Sequence, residues 1–357
     1  MIETILLGIG SVFFAYLSRY KNLHWGLKLS FVFIFLFLAF RYDFGNDYQG
    51  YLLRFGTYQS EKLNLELFKL DLFEPGWIIL NWLFKDIGFF NMTILLAFFN
   101  SLLYYHFIVK YVPSKYYWLA VFFYIFNNNL LLIQLSAMRQ AVAIMLFILS
   151  IDFLNKKNII KFIVCIVIAS FFHYTAILLA LIFFLVNFNK KIGNRGLLIV
   201  LLIYICLILG GKFLTPYLFG FISIFSEKYE FYQDKGVVNS GIGFIYYSFI
   251  LILLLYNEKK QNREVRLIFK ISILSILIMP LSLILDIMGR FTLYLTPATI
   301  VAYPNLISKM KNPLFKIIIV LIICTFTLFQ FYNFFNSTTY NEYFMDYKTI
   351  FSAPRWY

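Results

Sequence analysis

Three arginines stand in apolar surroundings, where a charged side chain is costly. Arg41 directly follows an apolar run, Arg139 lies in a polar cluster between two apolar runs, and Arg290 interrupts a long apolar stretch. Charges in such places generally face a cavity or a partner. The planar guanidinium matches two phosphate oxygens at once, so the three arginines predict an anionic, phosphate-bearing substrate. The alternative is that an arginine at a helix end simply reaches the lipid headgroups.

Two carboxylates and one imidazole accompany these arginines. Asp43 and Asp47 flank a glycine just after Arg41, and either is a candidate to accept a hydroxyl proton or to hydrogen-bond a sugar. The alternative for Asp43 is a simple ion pair with Arg41. His173 is a candidate base or phosphate ligand, although a lone histidine at a helix turn is more often only hydrogen-bonded.

These considerations give two groups of candidate site residues. The candidate catalytic residues are Asp43, Asp47, Arg139, His173 and Arg290. The candidate substrate-binding residues, for a phosphate group or a sugar, are Arg41, Tyr48, Gln140 and Tyr294.

The composition decides which elements must position these residues. The chain is 62% hydrophobic and only 13% charged, with a mean hydropathy of +0.79. Runs such as 31–38 do not alternate apolar and polar residues, which excludes a transmembrane β-barrel. In lipid the backbone must satisfy its own hydrogen bonds, so the runs are predicted to be helices. The sequence therefore predicts an all-α, polytopic integral membrane protein.

The apolar runs predict about 12 transmembrane helices, within a range of roughly 10 to 13, in a single transmembrane domain over 1–357. The predicted spans are 2–17, 27–40, 90–110, 115–133, 137–154, 158–172, 174–188, 196–212, 241–256, 267–286, 290–307 and 313–334. The piece 75–88 is short and is predicted to be re-entrant or interfacial. Two larger outer-face loops are predicted at 41–74 and 213–240, and part of the first, 51–73, could form an amphipathic surface helix.

Basic residues indicate how the chain is oriented. The loops that are predicted to be cytoplasmic are 19–28, 110–115, 155–161, 190–195, 257–270 and 309–316. They contain 19 of the 31 basic residues, as the positive-inside rule requires. The net charge of +14 therefore reports topology and not a nucleic-acid surface. With this assignment, and provided that 75–88 does not cross, both termini lie on the outer face. The isolated polar residues predicted on that face are Arg41, Asp43, Arg139, His173, Asp286 and Arg290.

Several kinds of chemistry leave no signature in the sequence. The chain has no P-loop, no cluster of His, Cys or Asp at metal-ligand spacing and no Gly-x-Ser-x-Gly motif. The three cysteines are scattered through apolar spans and are interpreted as core residues. We therefore expect neither a metal nor another cofactor, and no nucleic-acid partner.

Five segments resemble the EpsG-like members of the bacterial polysaccharide polymerases, which include the Wzy O-antigen polymerases. They are Arg41-Tyr-Asp-Phe-Gly-Asn-Asp-Tyr48, Glu74-Pro-Gly-Trp77, Met138-Arg-Gln-Ala-Val-Ala143, Phe172-His-Tyr-Thr-Ala176 and Gly289-Arg-Phe-Thr-Leu-Tyr294. Their order and spacing cover most of the chain. The family usually has Gly-Thr-Asp-Tyr where this chain has Gly45-Asn-Asp-Tyr48, and the tail 346–351 matches the family's tyrosine-rich ending only loosely, so the tail receives no site role.

The resemblance implies a glycosyltransferase of the bacterial inner membrane with its active site on the outer face. It would transfer a growing glycan from undecaprenyl diphosphate to the non-reducing end of another lipid-linked repeat unit. Arg139 and Arg290 would hold the diphosphates, Arg41 would orient one lipid, and His173 would support the phosphate site. The partners would be the undecaprenyl-diphosphate-linked oligosaccharide and membrane lipid. A chain-length regulator and a flippase of the same pathway are candidate protein partners.

Other functions remain open from the residues alone. A lipid-linked oligosaccharide flippase or exporter would favour a charged central cavity and an inverted repeat. A glycosyltransferase or ligase that adds a single unit would share the arginines and the lipid diphosphate. A structural subunit of an envelope assembly would leave the three arginines unexplained. The sugars, their linkage and the type of envelope polymer, whether O-antigen, capsule or exopolysaccharide, are not encoded in these features.

Overall fold

The computed structural model of the chain describes residues 1–58, 68, 73–184, 191–223, 241–282 and 286–352. Most of these residues are helical, which confirms the all-α class. The described strands are β1 (Arg41–Tyr42) and β2 (Lys348–Thr349), which pair antiparallel. The chain forms two compact units, Met1–Phe183 with Tyr303–Tyr357, and Phe184–Ala302. The single transmembrane domain over 1–357 stays a prediction.

The described helices follow one another with short connections. In chain order they are α1 (Ile2–Leu17), α2 (Gly26–Ala39), α3 (Tyr48–Tyr58), α4 (Pro75–Phe84), α5 (Phe89–Tyr111), α6 (Tyr117–Phe126), α7 (Leu131–Ser136), α8 (Met138–Asn155), α9 (Ile159–Ser170), α10 (Asn194–Ser223), α11 (Gly241–Glu258), α12 (Arg263–Ser282), α13 (Asp286–Leu295), α14 (Ala298–Ser308), α15 (Pro313–Phe335) and α16 (Asn341–Phe344). Short 3₁₀ helices cover Lys21–Leu23, Ser114–Tyr116, Tyr174–Ile182 and Ile350–Ser352.

Six helical segments among the described residues are long and apolar enough to span a membrane. They are Lys21–Ala39, Phe89–Tyr111, Met138–Asn155, Gly241–Glu258, Arg263–Ser282 and Pro313–Phe335. Four shorter helices are also apolar, namely Ile2–Leu17, Pro75–Phe84, Ile159–Ser170 and Asn194–Gly210. The chain is therefore an α-helical membrane protein, and the count of about 12 crossings stays a prediction.

The loops predicted on the outer face contain helices. In α3 the buried residues recur every three or four positions (Tyr48, Tyr51, Leu52, Phe55 and Tyr58), as expected for an amphipathic surface helix. Helix α4 has 10 residues, and its length of about 15 Å is too short to cross a bilayer. The remainder of the predicted amphipathic segment, 59–67 and 69–72, lies outside the described residues. So does 224–240 of the second predicted loop, whereas 213–223 belong to α10.

The prediction of one continuous span over 115–133 is wrong. Helix α6 ends at Phe126, and α7 begins only at Leu131. The side-chain oxygen of Asn127 accepts a hydrogen bond from the backbone N–H of Asn129 at 3.1 Å. Such a local bond competes with the helical one and favours a turn. A second interruption of the helix, at Ala137, separates α7 from α8 directly before Arg139.

The predicted span 290–307 is also interrupted. Helix α13 ends at Leu295 and α14 begins at Ala298, on either side of Pro297. Proline lacks a backbone N–H and disfavours helical geometry in the residue before it. The apolar run therefore consists of two shorter helices.

Helices α1 and α2 approach closely at Gly26. A Cβ atom at this position would lie 2.2 Å from the backbone oxygen of Phe14 and 3.1 Å from Oγ of Ser18. That Ser18 oxygen accepts a hydrogen bond from the N–H of Leu27 at 2.5 Å. The absence of a side chain at Gly26 is therefore what allows the two helices to meet, as at other small-residue contacts between membrane helices.

We expect Gly26→Ala to lower the stability of the protein by about 1–3 kcal/mol, because a backbone oxygen cannot move aside as a side chain can. The measurement is the thermal unfolding midpoint of the purified protein in detergent. Gly10→Ala is the matched control, since a Cβ atom at Gly10 would meet nothing within 4 Å. Equal midpoints for the two variants would contradict the close contact.

Met1 and the tail residues 343–349 lie beside the Arg41 segment. Strand β2 of the tail pairs with β1, so that Arg41 is opposite Thr349. The backbone N–H of Gly45 donates to the oxygen of Tyr343 at 3.1 Å. The nitrogen of Met1 lies 3.4 Å from the oxygen of Phe344. Met1 and the tail residues 343–349 thus lie at the same end of the first unit as this segment.

Segments that were predicted to be cytoplasmic also lie together. In the first unit, Nζ of Lys110 is 2.7 Å from the carboxylate of Asp152. Nζ of Lys316 donates to the hydroxyl of Tyr116 at 3.1 Å. The first contact joins the C-terminal ends of α5 and α8, and the second links the start of α15 to the 3₁₀ helix Ser114–Tyr116 that follows α5.

The second unit has a buried charged cluster where α10, α11 and α12 begin or end. The side chain of Glu258 is fully buried and accepts a hydrogen bond from the N–H of Ile192 at 3.0 Å. Its carboxylate lies 3.7 Å from Nε of Arg266 and 3.9 Å from Nζ of Lys270. These contacts hold together the predicted cytoplasmic segments 190–195 and 257–270.

Candidate functional site

Arg41 joins the ends of two helices. Its Nη1 donates to the oxygen of Leu38 at 3.2 Å and its Nη2 to the oxygen of Leu135 at 3.4 Å. These carbonyls lie in the last turns of α2 and α7, where the backbone lacks internal partners and the helix dipole favours a cation. The residue is only 6% exposed. Arg41 is therefore placed to fix the position of the break that precedes Arg139.

Asp43, Asp47 and Tyr48, which follow Arg41 in the sequence, each make a different contact. Within the described residues Arg41 forms no ion pair, so the proposed pair with Asp43 is wrong. The carboxylate of Asp43 instead lies 4.0 Å from Nζ of Lys348. Asp47 is exposed and accepts a hydrogen bond from Asn46 at 3.2 Å. Tyr48 is fully buried, and its hydroxyl donates to the backbone oxygen of Arg41 at 3.3 Å.

Gly45 packs the Arg41 segment against the same helix break. Its φ of +125° is unfavourable for any residue with a side chain, and a Cβ atom there would lie 3.0 Å from the backbone oxygen of Leu135. Glycine is therefore required at this position for two independent reasons.

We expect Gly45→Ala to reduce the activity of the protein strongly, because the strained backbone costs about 1–3 kcal/mol and the contact with Leu135 must open. Gly50→Ala is the control, since Gly50 lies in exposed helix with nothing within 4 Å of its added Cβ. Activity per folded molecule should be close to normal in the control. Equal activity of the two variants would show that the packing of Gly45 is not needed.

A buried amide network fixes α7 from its other side. The side chain of Asn100 donates to Gln134 at 3.0 Å, and Gln134 donates to the hydroxyl of Tyr104 at 2.5 Å. The hydroxyl of Tyr124 donates to Asn100. In an apolar environment these polar groups are costly unless they are paired. The network therefore ties α7 to α5 and α6 in one arrangement.

Arg139 is held by three side chains from the segment 41–74, which was predicted to lie on the outer face. Its Nη1 donates to the carboxylate of Glu74, and its guanidinium is hydrogen-bonded to the hydroxyl of Tyr51. The ring of Phe73 lies under the guanidinium, 4.4 Å from Cζ. Burial raises the pKa of Tyr51, which the charge of Arg139 only partly offsets, so the phenol stays protonated. Arg139 is thus fixed in orientation before any ligand arrives.

The position of Arg139 also suits an anion. It lies in the first turn of α8, where backbone N–H groups lack helical acceptors and the dipole is positive. Its side chain keeps 23% of its exposure, whereas Glu74 keeps 8%. A helix N-terminus with an accessible arginine is a ready site for phosphate oxygens.

The turn that carries Glu74 contacts the turn that carries His173. The N–H of Gly76 donates to the oxygen of Phe171 at 2.7 Å, and a Cβ atom at Gly76 would lie 2.8 Å from that oxygen. His173 shares a hydrogen bond of 2.8 Å with the hydroxyl of Thr175. The structure therefore brings the segments 74–77 and 171–173 side by side.

A family model supplies the decisive comparison. The model of the EpsG family matches residues 25–349 of this chain. The chain belongs to the EpsG family. Comparison with curated proteins and with solved structures gave no match. Family membership makes this a membrane protein of polysaccharide biosynthesis and implies, in general terms, a glycosyltransferase-like polymerase.

The remaining candidates of this EpsG-family protein are distributed over both units. Gln140 is buried next to Arg139 in α8. Arg290 and Tyr294 belong to the second unit, in α13, where Arg290 is exposed and Tyr294 is fully buried. The first unit thus assembles Arg41, Asp43, Asp47, Tyr48, Arg139, Gln140 and His173 on neighbouring segments.

Sequence reasoning missed three neighbours of Arg139. Glu74, Tyr51 and Phe73 surround Arg139 but were not among the candidates. The segment Glu74–Trp77 did contribute to the family resemblance, so a lone carboxylate before Pro75 was an available signal. No signal in the sequence pointed to Tyr51 or Phe73, because aromatic residues form 22% of the chain and these two do not stand out among them.

Proposed function

We propose that this protein is a polysaccharide polymerase. It transfers a growing glycan from undecaprenyl diphosphate to the non-reducing end of another lipid-linked repeat unit, on the outer face of the inner membrane. The observation that supports this most is Arg139. It is an oriented and accessible arginine at the N-terminus of the membrane-spanning helix α8, directly after the interruption between α7 and α8. Broken helices at membrane depth occur where the backbone lines a cavity or a ligand site.

The proposed reaction is a displacement at the anomeric carbon of the donor. A hydroxyl oxygen of the acceptor sugar forms the new glycosidic bond, and the bond between the anomeric carbon and the diphosphate oxygen breaks. The electron pair leaves with the lipid diphosphate, and the hydroxyl proton passes to a carboxylate and then to water. Charge on the leaving diphosphate grows during this step, so oriented donors around it lower the barrier.

Each step of the proposed reaction is assigned to particular residues. Arg139 and the N–H groups at the start of α8 bind the diphosphate of one lipid, and Arg290 binds that of the other. Asp43 or Asp47 accepts the hydroxyl proton, and His173 supports the phosphate site. Arg41 positions the helix break, because its guanidinium donates to backbone oxygens at the ends of two helices, and through this segment it helps to orient one lipid.

The test uses the purified protein in lipid vesicles with undecaprenyl-diphosphate-linked repeat units. The expected result is a ladder of lengthened glycans, with one undecaprenyl diphosphate released for every bond formed. In cells, loss of the gene should shorten the surface polymer to single repeat units. Unchanged repeat units in the vesicles would refute the proposal, and their movement across the bilayer without a new bond would identify a flippase.

A further inference from the structure

The tail of the chain contacts the Arg41 segment through its backbone. We call residues 343–350 the C-terminal strap. The pairing of β1 with β2 sets Tyr42 opposite Lys348. The N–H of Gly45 donates to the oxygen of Tyr343 at 3.1 Å. Since backbone bonds fix register whatever the side chains, the strap fixes where residues 41–45 lie.

The strap also completes the end of α2. The hydroxyl of Tyr347 donates to the oxygen of Phe37 at 2.8 Å, and the two rings stack at 4.4 Å. The N–H of Ile350 donates to the oxygen of Phe40 at 2.9 Å. Burial raises the pKa of Tyr347 to about 12, so the hydroxyl remains a donor at neutral pH. These bonds satisfy carbonyls at a helix end that would otherwise be costly near lipid.

Lys348 faces the candidate base Asp43. Its Nζ lies 4.0 Å from the carboxylate, and the two side chains are 52% and 33% exposed. Asp43 has a φ of +50°, which is uncommon for a residue other than glycine. Such conformations persist where the surroundings enforce them. An exposed ion pair contributes little to stability, so this pair is better suited to orient the carboxylate than to hold the fold.

We propose that the C-terminal strap is part of the functional site and that Lys348 is the positioning residue for Asp43. The strap holds the Arg41–Tyr48 segment in its working conformation, while Lys348 directs the carboxylate toward the acceptor hydroxyl. This inference rests on the proposed polymerase function.

The first test compares Lys348→Gln, Lys348→Arg and the control Asp346→Asn, which changes an exposed charge in the same strap. We expect Lys348→Gln to lower kcat about 10- to 100-fold, with KM and the thermal midpoint unchanged, because the reacting carboxylate is misplaced. Lys348→Arg should restore most of the activity, since it keeps the charge. A normal kcat for Lys348→Gln, or a fall that matches a loss of folded protein, would overturn the role of Lys348.

The second test does not depend on activity. In Tyr347→Ala, hydrogen exchange of the backbone amides of residues 41–48 should become faster, whereas exchange in 138–155 should match that of the wild type. Unchanged exchange in 41–48 would overturn the strap. If the wild-type protein makes no polymer, the proposed function fails, and this experiment still decides whether the strap holds the segment.

Discussion

Arg139→Lys should leave the protein folded and remove most of its polymerising activity. A lysine retains the positive charge but replaces the planar fork with a single ammonium, which cannot bind Glu74, Tyr51 and a phosphate in the same geometry. Removing one oriented donor from a site of developing charge typically costs about 10²–10³ in kcat. The measurement is the rate of glycosidic bond formation with lipid-linked repeat units at saturating substrate.

The control for this variant is Arg19→Lys. Arg19 lies in the loop before α2, which is predicted to be cytoplasmic, and its guanidinium stacks on the ring of Tyr16 at 4.8 Å. The same chemical change there should leave activity near the wild-type level. A near-normal rate and polymer length in Arg139→Lys would exclude the phosphate role of Arg139. If the thermal unfolding midpoint of the variant fell together with its activity, the phosphate role would be excluded too, since Arg139 would then act through folding.

The sequence located Arg139 because a charge in an apolar stretch is visible without any structure. Its partner Glu74 was not predicted, because the two residues are 65 positions apart and no spacing rule links them. Arg41 shows the opposite case. Its type and setting suggested a ligand contact, whereas the structure shows that Nη1 and Nη2 also donate to carbonyls at the ends of α2 and α7. Only the packing of the two helices reveals this structural role.

The sequence contained part of the signal for the interruptions between helices. A long apolar run was interpreted as one span even where a short polar or proline-containing interruption divides it, so continuous spans were predicted. The residues that end the helices, Asn127 and Pro297, are ordinary turn and breaker signals. The pairing of β1 with β2 could not be predicted, because strands of 2 residues show no alternation. The site at the break and the strap beside it are thus the features that needed the structure.

Glu74→Gln is expected to reduce kcat by about two orders of magnitude, since a small displacement of a catalytic group has effects of this size. The amide keeps the shape of the carboxylate but removes the charge that holds Nη1 of Arg139. Glu74 is 6% exposed, so water replaces the lost interaction poorly. The measurement is again the rate of bond formation, with Glu3→Gln, an exposed carboxylate of α1, as the control.

A double-mutant cycle separates two roles for Glu74. If Glu74 acts by orienting Arg139, the combined variant Glu74→Gln with Arg139→Lys should be no slower than Arg139→Lys alone, because the second change removes what the first one had oriented. Residues in direct contact typically show coupling of about 0.5–3 kcal/mol in such cycles. If the two losses multiply instead, Glu74 acts independently, and the buried carboxylate becomes the stronger candidate for accepting the proton of the acceptor hydroxyl. We expect the first result, because the carboxylate is already hydrogen-bonded to the guanidinium and is less exposed than Arg139.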